Sequence, residues 1–494
     1  MLAAVVTAKT YKEAIREINN IQNADLIELR LDYIKDLSHR NIKNLIKMCK
    51  KPAIATNRKK DEGGLFTGSE EDRIDALQAA IKSDVNFVDV EYSTDKNLLK
   101  HLLKNKSTTR IIISHHNLYE TPKNIINVYN KMKKLNPDFI KIVTKAKSVT
   151  DNFEIFDLIN DANKEKTKVI AFCSGSYGEF SRILSIILGS QITYAANEKG
   201  KESADGQLTL NEMHSYRIKK LNNQTKILGI IGNPVTHSLS NIMHNAAFEK
   251  LNINAVYLKF KVDNLKHFVN YFKGQNILGF SVTIPHKIEI VKFIDNIDKK
   301  AEKIGAVNTI VVKNKRLIGH NTDCDGAIKA LKTKTELKNK KVVVLGAGGS
   351  SRAVAYGLKE ERANTTILNR TVESARNIAD CFDCSYGSLN DLKKIDYDIL
   401  INTTPVGMHP YPYDCPIPSR LLRKDSIIFD IVFNPYKTKL LKYAEKKECT
   451  VIPGFEMLIN GAELQFKLWT KKNAPTHLMR EKAISYLEDA DHQN

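Results

Sequence analysis

The chain has 494 residues, 42% of them hydrophobic and 27% charged, and carries a formal net charge of +20 at pH 7. At roughly 150 residues per domain this length corresponds to about three domains, and the composition suits a folded chain with a sizeable core and argues against intrinsic disorder. No apolar run approaches the ~18 residues of a membrane-spanning helix, so no membrane partner is expected. The opening segment, 1–7, is apolar but short and has no basic stretch before it. It reads as a first strand and not as a secretion signal.

Along the first half, eight β-branched runs alternate with stretches of helical periodicity. The runs lie at 3–7, 26–31, 52–56, 86–91, 110–114, 139–144, 168–173 and 191–195, and helices are expected at 11–21, 70–82, 122–134 and 210–220. Eight regular β/α units in about 220 residues predict a closed parallel (β/α)8 TIM barrel, with an open doubly wound sheet as the alternative. The polar stretch 221–225 breaks the pattern, and a new β-rich pattern starts at Lys226. Four segments are expected: 1–223 as the barrel, 224–332 as a second α/β domain, 333–455 as a Rossmann-type domain and 456–494 as terminal helices. The fold class is α/β throughout.

The seven cysteines are scattered, which fits a reducing cytoplasm better than a disulfide framework. The one CxxC, Cys381–Cys384, has no second pair and no nearby histidine, so no metal site is expected. The basic residues are mostly lysines spread along the chain and mixed with acids. They read as a solvated surface that attracts small anionic substrates and phosphorylated cofactors, and not as a nucleic-acid interface. Nothing in the sequence sets the number of subunits.

Polar residues gather where the barrel strands are expected to end, the active-site face of such a fold. Glu28 and Arg30 close the second strand, Arg58 follows the third, and Glu62 precedes the flexible pair Gly63-Gly64. His115 and His116 follow the fifth, Lys141 lies inside the sixth, and Arg182 and the loop 203–207 come after the seventh and eighth. Lys141 sits in an apolar run, and a buried, unpaired ammonium tends to lose its proton. The neutral amine can form a Schiff base with a ketone. Strand alternation turns only one of His115 and His116 inward, and that one can serve as general acid/base. The arginines suit a substrate carboxylate.

The segments Ile27-Glu-Leu-Arg-Leu-Asp32, Arg58-Lys-Lys-Asp-Glu-Gly-Gly64, Ser114-His-His-Asn117, Lys141, Ser181-Arg182 and Ser203-Ala-Asp-Gly-Gln207 together resemble the type I 3-dehydroquinate dehydratases. The resemblance implies that Lys141 forms an imine with the ketone of 3-dehydroquinate. It makes His116 the proton-shuttling histidine, Glu62 the carboxylate that assists it, and Arg182 the clamp on the substrate carboxylate. It also implies that Thr7, Glu28, Arg30, Arg58, Ser203 and Gln207 contact substrate.

In the second half, Lys341-Val-Val-Val-Leu-Gly346-Ala-Gly348-Gly349-Ser-Ser351-Arg352 reads as strand, glycine turn and helix. Gly346 suits the tight turn and Gly348 the approach of a pyrophosphate to the helix N-terminus; Ser351 stands where the third glycine of the fingerprint belongs. The next strand ends at Asn369-Arg370-Thr371. A cation where an NAD enzyme carries an acid favours the 2′-phosphate of NADP(H).

Upstream lie Gly232-Asn-Pro-Val-Thr-His-Ser238-Leu-Ser240, Ser281-Val-Thr283-Ile-Pro-His-Lys287, Gly305-Ala-Val-Asn308-Thr and Asn321-Thr-Asp323. These groups suit a polyol carboxylate, although Ser238 and Ser240 could equally start a helix. With the glycine turn they resemble the shikimate dehydrogenases. That resemblance implies Lys287 and Asp323 as the catalytic pair, with Ser238, Ser240, Thr283 and Asn308 on the substrate. It places Gly346, Ala347, Gly348, Gly349, Ser350, Asn369, Arg370, Thr371, Ile431 and Gly454 around the cofactor. The sequence departs from that family's pattern at three positions. Gly461 stands where a substrate-binding glutamine is usual, with Gln465 one turn later as its expected substitute; Phe433 replaces a tyrosine; and Ser374 replaces a second cation near the 2′-phosphate. The two resemblances imply consecutive steps, 3-dehydroquinate to 3-dehydroshikimate and then to shikimate. A Schiff-base aldolase fused to a quinate- or shikimate-type dehydrogenase is the enzymatic alternative, and a basic nucleic-acid binder is the rival of another class.

Overall fold

The computed structural model describes residues 1–491. The chain divides into two compact units: Met1–Thr225 with Phe260–Tyr271, and Lys226–Lys259 with the chain from Phe272 onward.

The first unit is built on eight parallel strands: β1 (Leu2–Val6), β2 (Leu26–Arg30), β3 (Ala53–Thr56), β4 (Phe87–Glu91), β5 (Arg110–Asn117), β6 (Phe139–Lys145), β7 (Val169–Ser174) and β8 (Thr193–Ala196). They follow the spatial order β7-β6-β5-β4-β3-β2-β1-β8. Between β7 and β8, Gln191 N–H donates to the Val169 carbonyl, which brings the two ends together into a near-closed barrel. Side chains from all eight strands share one buried interior cluster, among them Ala3, Leu26, Ile54, Phe87, Ile112, Phe139, Ile170 and Tyr194. A shared interior is what a barrel provides and an open two-faced sheet does not. Helices start where their sequence caps them: Thr10 accepts from Glu13 N–H, and Ser69 forms a reciprocal box with Asp72. The last helix expected here is split. Leu210–Ser215 is α-helical, Arg217 takes a left-handed φ of 58°, and a 3-10 turn follows at Ile218–Lys220.

The second unit holds two six-stranded sheets. One comprises β9 (Lys226–Gly232), β10 (Ala255–Lys261), β11 (Ile277–Val282), β12 (Asn296–Ile297), β13 (Thr309–Lys313) and β14 (Arg316–His320), in the order β10-β9-β11-β13-β14-β12. Here β13 runs antiparallel to both neighbours. The other sheet comprises β15 (Lys341–Leu345), β16 (Asn364–Asn369), β17 (Ser385–Ser388), β18 (Ile399–Asn402), β19 (Ile427–Asp430) and β20 (Thr450–Pro453). All its pairs are parallel, and its order β17-β16-β15-β18-β19-β20 reverses direction beside β15. That is the doubly wound arrangement, in which ligands bind at the strand carboxyl ends near the reversal. The terminal helices are part of this unit's core. Phe455, Ile459, Phe466 and Trp469 of helix Gly454–Thr470, with Met479 and Ala483, pack with Leu228, Met243 and Phe248.

All seven cysteines are unpaired. Among the described residues no helix is long and apolar enough to cross a membrane, and no group of His, Cys, Asp and Glu could hold a metal ion.

Candidate active sites

Each barrel strand alternates inward and outward, and its inward residues change from apolar to polar toward the carboxyl end. On β6, Phe139 and Val143 join the interior cluster, so Lys141 between them points inward. On β5, Ile112 is interior, Ser114 pairs in register with Lys141, and His116 lies on the same face two residues further. β5 extends through Asn117, so His115 and His116 lie on the strand and do not follow it, and period 2 turns His116 inward. On β4 the inward set is Phe87, Asp89 and Glu91, and on β2 it is Leu26, Glu28 and Arg30.

Lys141 is buried but not unpaired, which corrects the argument from an isolated ammonium. Its Nζ lies 2.8 Å from Asp89 Oδ2, 3.7 Å from Glu28 Oε1 and 4.0 Å from the centre of the Tyr194 ring. Carboxylates offset the cost of burying its charge. Asp89 also accepts from Ser114 Oγ at 2.6 Å and pairs with Arg58 at 2.8 Å. Burial alone would raise the Asp89 carboxyl, but Arg58, Lys141 and the bonds to it hold the group far below the usual carboxylate range. Arg58 further donates to Ser114 Oγ at 2.6 Å and pairs with Glu91, which in turn pairs with the fully buried Arg73. Asp89, Glu91 and Tyr194 were not singled out from sequence. The signal for the first two is acids at alternate positions of Phe87-Val-Asp-Val-Glu91.

Glu62 accepts from the backbone N–H of His116 at 2.9 Å and lies 3.3 Å from its Nδ1, while Ser93 Oγ holds its other oxygen. Burial, reinforced by the positive charges of Arg58 and Lys141, pushes the His116 pKa well below 6.5. The imidazole is therefore neutral and able to accept a proton. Gly63 and Gly64 form a turn that packs closely on Arg58. Gly63 has φ +83°, and a β-carbon on Gly64 would fall 2.0 Å from the Arg58 carbonyl oxygen.

The arginines differ in what they already hold. Arg30 donates twice to Asp32, at 2.9 and 2.7 Å. Arg182 is 1% exposed, forms no ion pair among the described residues, leaves Nε unpartnered and reaches only the Asp205 carbonyl at 3.4 Å. Burial pulls its pKa down to about 10, so it stays charged at neutral pH. Arg182, Ser203, Gln207, His116 and Lys141 line one cavity together with Glu28, Arg30, Arg58 and Glu62. Gln207 accepts from Ser203 N–H and Oγ–H through its side-chain oxygen. Thr7 is not in that lining; its hydroxyl donates to the Lys201 carbonyl and tethers the following loop.

In the second unit, Lys287 Nζ lies 2.5 Å from Asp323 Oδ2 and 3.0 Å from Ser350 Oγ. Asn308 Nδ2 donates to the other Asp323 oxygen at 2.7 Å, and Asn308 Oδ1 accepts from Thr309 Oγ1 and from Thr322 N–H. Behind this pair runs a buried relay. Gln465 Nε2 donates to Thr309 Oγ1 and Gln465 Oε1 accepts from Ser281 Oγ, each at 3.0 Å; Ser281 in turn accepts from Tyr257 OH at 2.6 Å, and Ser240 bonds Tyr257. Each end of the Gln465 amide thus makes a bond to protein, and through Thr309 it braces Asn308. At Gly461 a β-carbon would meet only Thr322 atoms, at 3.7 Å or more, so packing does not demand glycine there. Helix Ser240–Lys250 starts at Ser240 without a side-chain cap, and Ser238 Oγ accepts the Ser240 N–H. A β-carbon on Gly232 would collide with Thr283 at 2.3 Å, which fixes these two loops together. Phe433 packs half-buried against the core containing Phe455.

The glycine turn fits a dinucleotide. Gly346 has φ +111°, and a β-carbon on Gly348 would meet nothing within 4 Å, leaving open space at the positive end of helix Gly349–Glu360. Ser351, at the third glycine position, is buried; its hydroxyl accepts from Gly348 N–H and bonds Thr403, tying the turn to β18. Arg370 is exposed just after β16, with no ion pair among the described residues, while the neighbouring Asn369 donates to the Thr371 carbonyl. Ala347 is half-buried in the turn, and Gly349 backs onto the Lys287 side chain. Gly454 has a packing reason: its β-carbon would lie 2.3 Å from the Ile431 carbonyl oxygen.

A barrel with a buried lysine at its polar end, followed by a doubly wound domain whose glycine turn abuts a Lys–Asp pair, defines a fused α/β enzyme with two separate sites. The type I 3-dehydroquinase family matches residues 2–221, the shikimate dehydrogenase substrate binding domain residues 230–310, and the shikimate/quinate 5-dehydrogenase family residues 329–408. The chain is 34% identical to the chloroplastic bifunctional 3-dehydroquinate dehydratase/shikimate dehydrogenase of Arabidopsis thaliana, covering 97% of this chain and 83% of that one. It is 33% identical to the shikimate biosynthesis protein AroDE of Chlamydia pneumoniae, covering 95% of each. A crystal structure of a shikimate dehydrogenase in complex with NADP+ matches at 42% identity and TM-score 0.51, over 54% of this chain and 97% of that one. The chain belongs to the bifunctional 3-dehydroquinate dehydratase/shikimate dehydrogenase family.

Proposed function

We propose that Lys141 and His116 carry out the dehydration in this chain and that Lys287 and Asp323 carry out the reduction. The enzyme converts 3-dehydroquinate to 3-dehydroshikimate in residues 1–223 and reduces that product to shikimate in the remainder, within the shikimate pathway. In this reading residues 224–332 hold the substrate, 333–455 the NADP(H), and 456–494 complete the dehydrogenase. The observation that carries it is one cavity holding a buried lysine, a histidine kept neutral and an arginine without an ion pair.

In the barrel, Lys141 Nζ adds to the C3 ketone and water leaves, forming an imine. The imine draws electrons from C2, and neutral His116, oriented by Glu62, accepts the C2 proton. The hydroxyl β to C3 departs as water with a proton returned by His116, and hydrolysis frees Lys141. Arg182 takes the substrate carboxylate. In the second unit, Lys287 donates a proton to the C3 oxygen of 3-dehydroshikimate, and Asp323, 2.5 Å away and anchored by Asn308, orients it. NADPH, when bound, supplies the hydride. The turn from Gly346 to Ser350 would seat its pyrophosphate, Arg370 its 2′-phosphate, and Ile431 and Gly454 its nicotinamide end. Seven unpaired thiols support a reducing cytoplasm as the site of action.

One coupled assay tests the whole reading: 3-dehydroquinate plus NADPH should oxidise the cofactor. Lys141→Ala should stop that while leaving oxidation with added 3-dehydroshikimate intact. Cofactor oxidation that persists with 3-dehydroquinate in the variant would remove Lys141 from the chemistry.

A further inference from the structure

The Tyr194 hydroxyl has no role in the scheme above, and it is buried without a hydrogen-bond partner. Tyr194 is 3% exposed on β8, its OH is unpartnered, and it lines the cavity that contains Lys141, His116 and Arg182. A buried, unsatisfied hydroxyl is costly and calls for an explanation in a native structure. The ring lies beneath Lys141, with Nζ 4.0 Å from its centre, and it packs on Phe172 with centroids 6.2 Å apart. The ring therefore packs against the atom that bonds to substrate, and the unpartnered hydroxyl belongs to the wall of the same cavity.

Several polar groups around Lys141 already bond protein. Arg58 holds Asp89, Glu91 and Ser114; Ser114 donates to Asp89; Thr56 donates to Glu28 at 2.9 Å; and His116 Nδ1 lies against Glu62. Each of these groups already bonds another protein atom, whereas the Tyr194 hydroxyl bonds none. We infer that the Tyr194 hydroxyl donates a hydrogen bond to the C3 oxygen of the substrate, first the ketone and then the carbinolamine hydroxyl, and so assists the formation of the Lys141 imine. The step balances: Nζ gains the double bond to C3 and gives up two hydrogens, the C3 oxygen takes both and leaves as water, and the phenol keeps its own proton. Burial, with the negative charges of Glu28 and Asp89, raises the Tyr194 pKa well above 10, so the group acts as a donor and not as a base.

The inference rests on Lys141 being the imine-forming lysine, and the test separates the two. Wild type and Tyr194→Phe, both as full chains, are mixed with 3-dehydroshikimate and borohydride, and the rate of label appearing on Lys141 is followed by peptide mass. Phenylalanine keeps the ring under Nζ and removes only the oxygen. Labelling in Tyr194→Phe should slow roughly tenfold or more, the scale of a lost donor at a developing charge. Thermal unfolding without ligand should show an equal or higher midpoint, because an unpaired buried hydroxyl has gone. Reduction of 3-dehydroshikimate with NADPH should be unchanged. If wild type labels at Lys141 and Tyr194→Phe labels equally fast, the hydroxyl takes no part and the inference falls. A lower midpoint with unchanged labelling also overturns it, since the hydroxyl would then be structural. If wild type labels on another lysine or not at all, the Lys141 reading fails and this one with it.

Discussion

Replacing Arg182 with methionine separates a binding role from a structural one. Three observations set the magnitude: the guanidinium is 1% exposed, pairs with no carboxylate, and makes one long 3.4 Å bond to a carbonyl. A buried charge without a partner costs the free protein stability. Methionine keeps the packing over the Phe172 ring, now 4.7 Å from the guanidinium carbon, so the thermal midpoint should hold or rise. A charge-assisted hydrogen bond to the substrate carboxylate is worth ~1.5–3 kcal/mol, which converts to roughly a ten- to hundredfold rise in KM for 3-dehydroquinate. The assay is steady-state dehydration followed by enone absorbance, beside a thermal melt of the same sample. Arg30 supplies the contrast: it already donates twice to Asp32, so Arg30→Met should lower the melting midpoint. An Arg182→Met protein with unchanged KM and a markedly lower midpoint would refute the reasoning, because the arginine would then be stabilising the fold.

The depressed pKa of His116 predicts that kcat/KM for dehydration keeps its activity below pH 6.5, with the acid limb on the low side of that value; a limb at or above 6.5 sinks the neutral-base assignment. The same group is a liability for folding in acid. Below about pH 6.5 the unfolded histidine takes a proton that the folded one refuses, so stability falls as pH drops, and His116→Gln should flatten that slope in melts run across pH. Lys287→Ala should cut kcat for 3-dehydroshikimate reduction by at least about a hundredfold with little change in NADPH affinity; near-normal turnover would make the lysine structural. Arg370→Ala should cost roughly ten- to a hundredfold in kcat/KM with NADPH and little with NADH, whereas equal losses would assign it to the shared adenosine site.

The sequence by itself determined what is local and periodic. The eight β/α units, the lysine inside the sixth strand, the glycine turn before helix Gly349–Glu360 and the cation after β16 could be read from runs of fewer than about 20 residues, because strand alternation, turn chemistry and helix periodicity act at that range, whereas the choice of His116 over His115 and of Lys287 with Asp323 came from the family resemblances. Element ends drifted by a residue or more where the pattern continued past a polar residue, as on β5, which carries both histidines. The tertiary structure decided which groups are spent and which remain free. Arg30 and Arg182 look alike in sequence, yet one is bound to the Asp32 carboxylate two residues away and the other, among the described residues, forms no ion pair and makes one long bond to a carbonyl. Lys141 gains its partner from position 89, two strands away in the barrel. Gln465, a turn after Gly461, bonds Ser281 and Thr309, each more than 150 residues distant. Hydrogen-bond and ion-pair capacity is finite, and who saturates it depends on which distant strands the closed barrel and the packed helices bring within 3 Å, a quantity that no local pattern encodes.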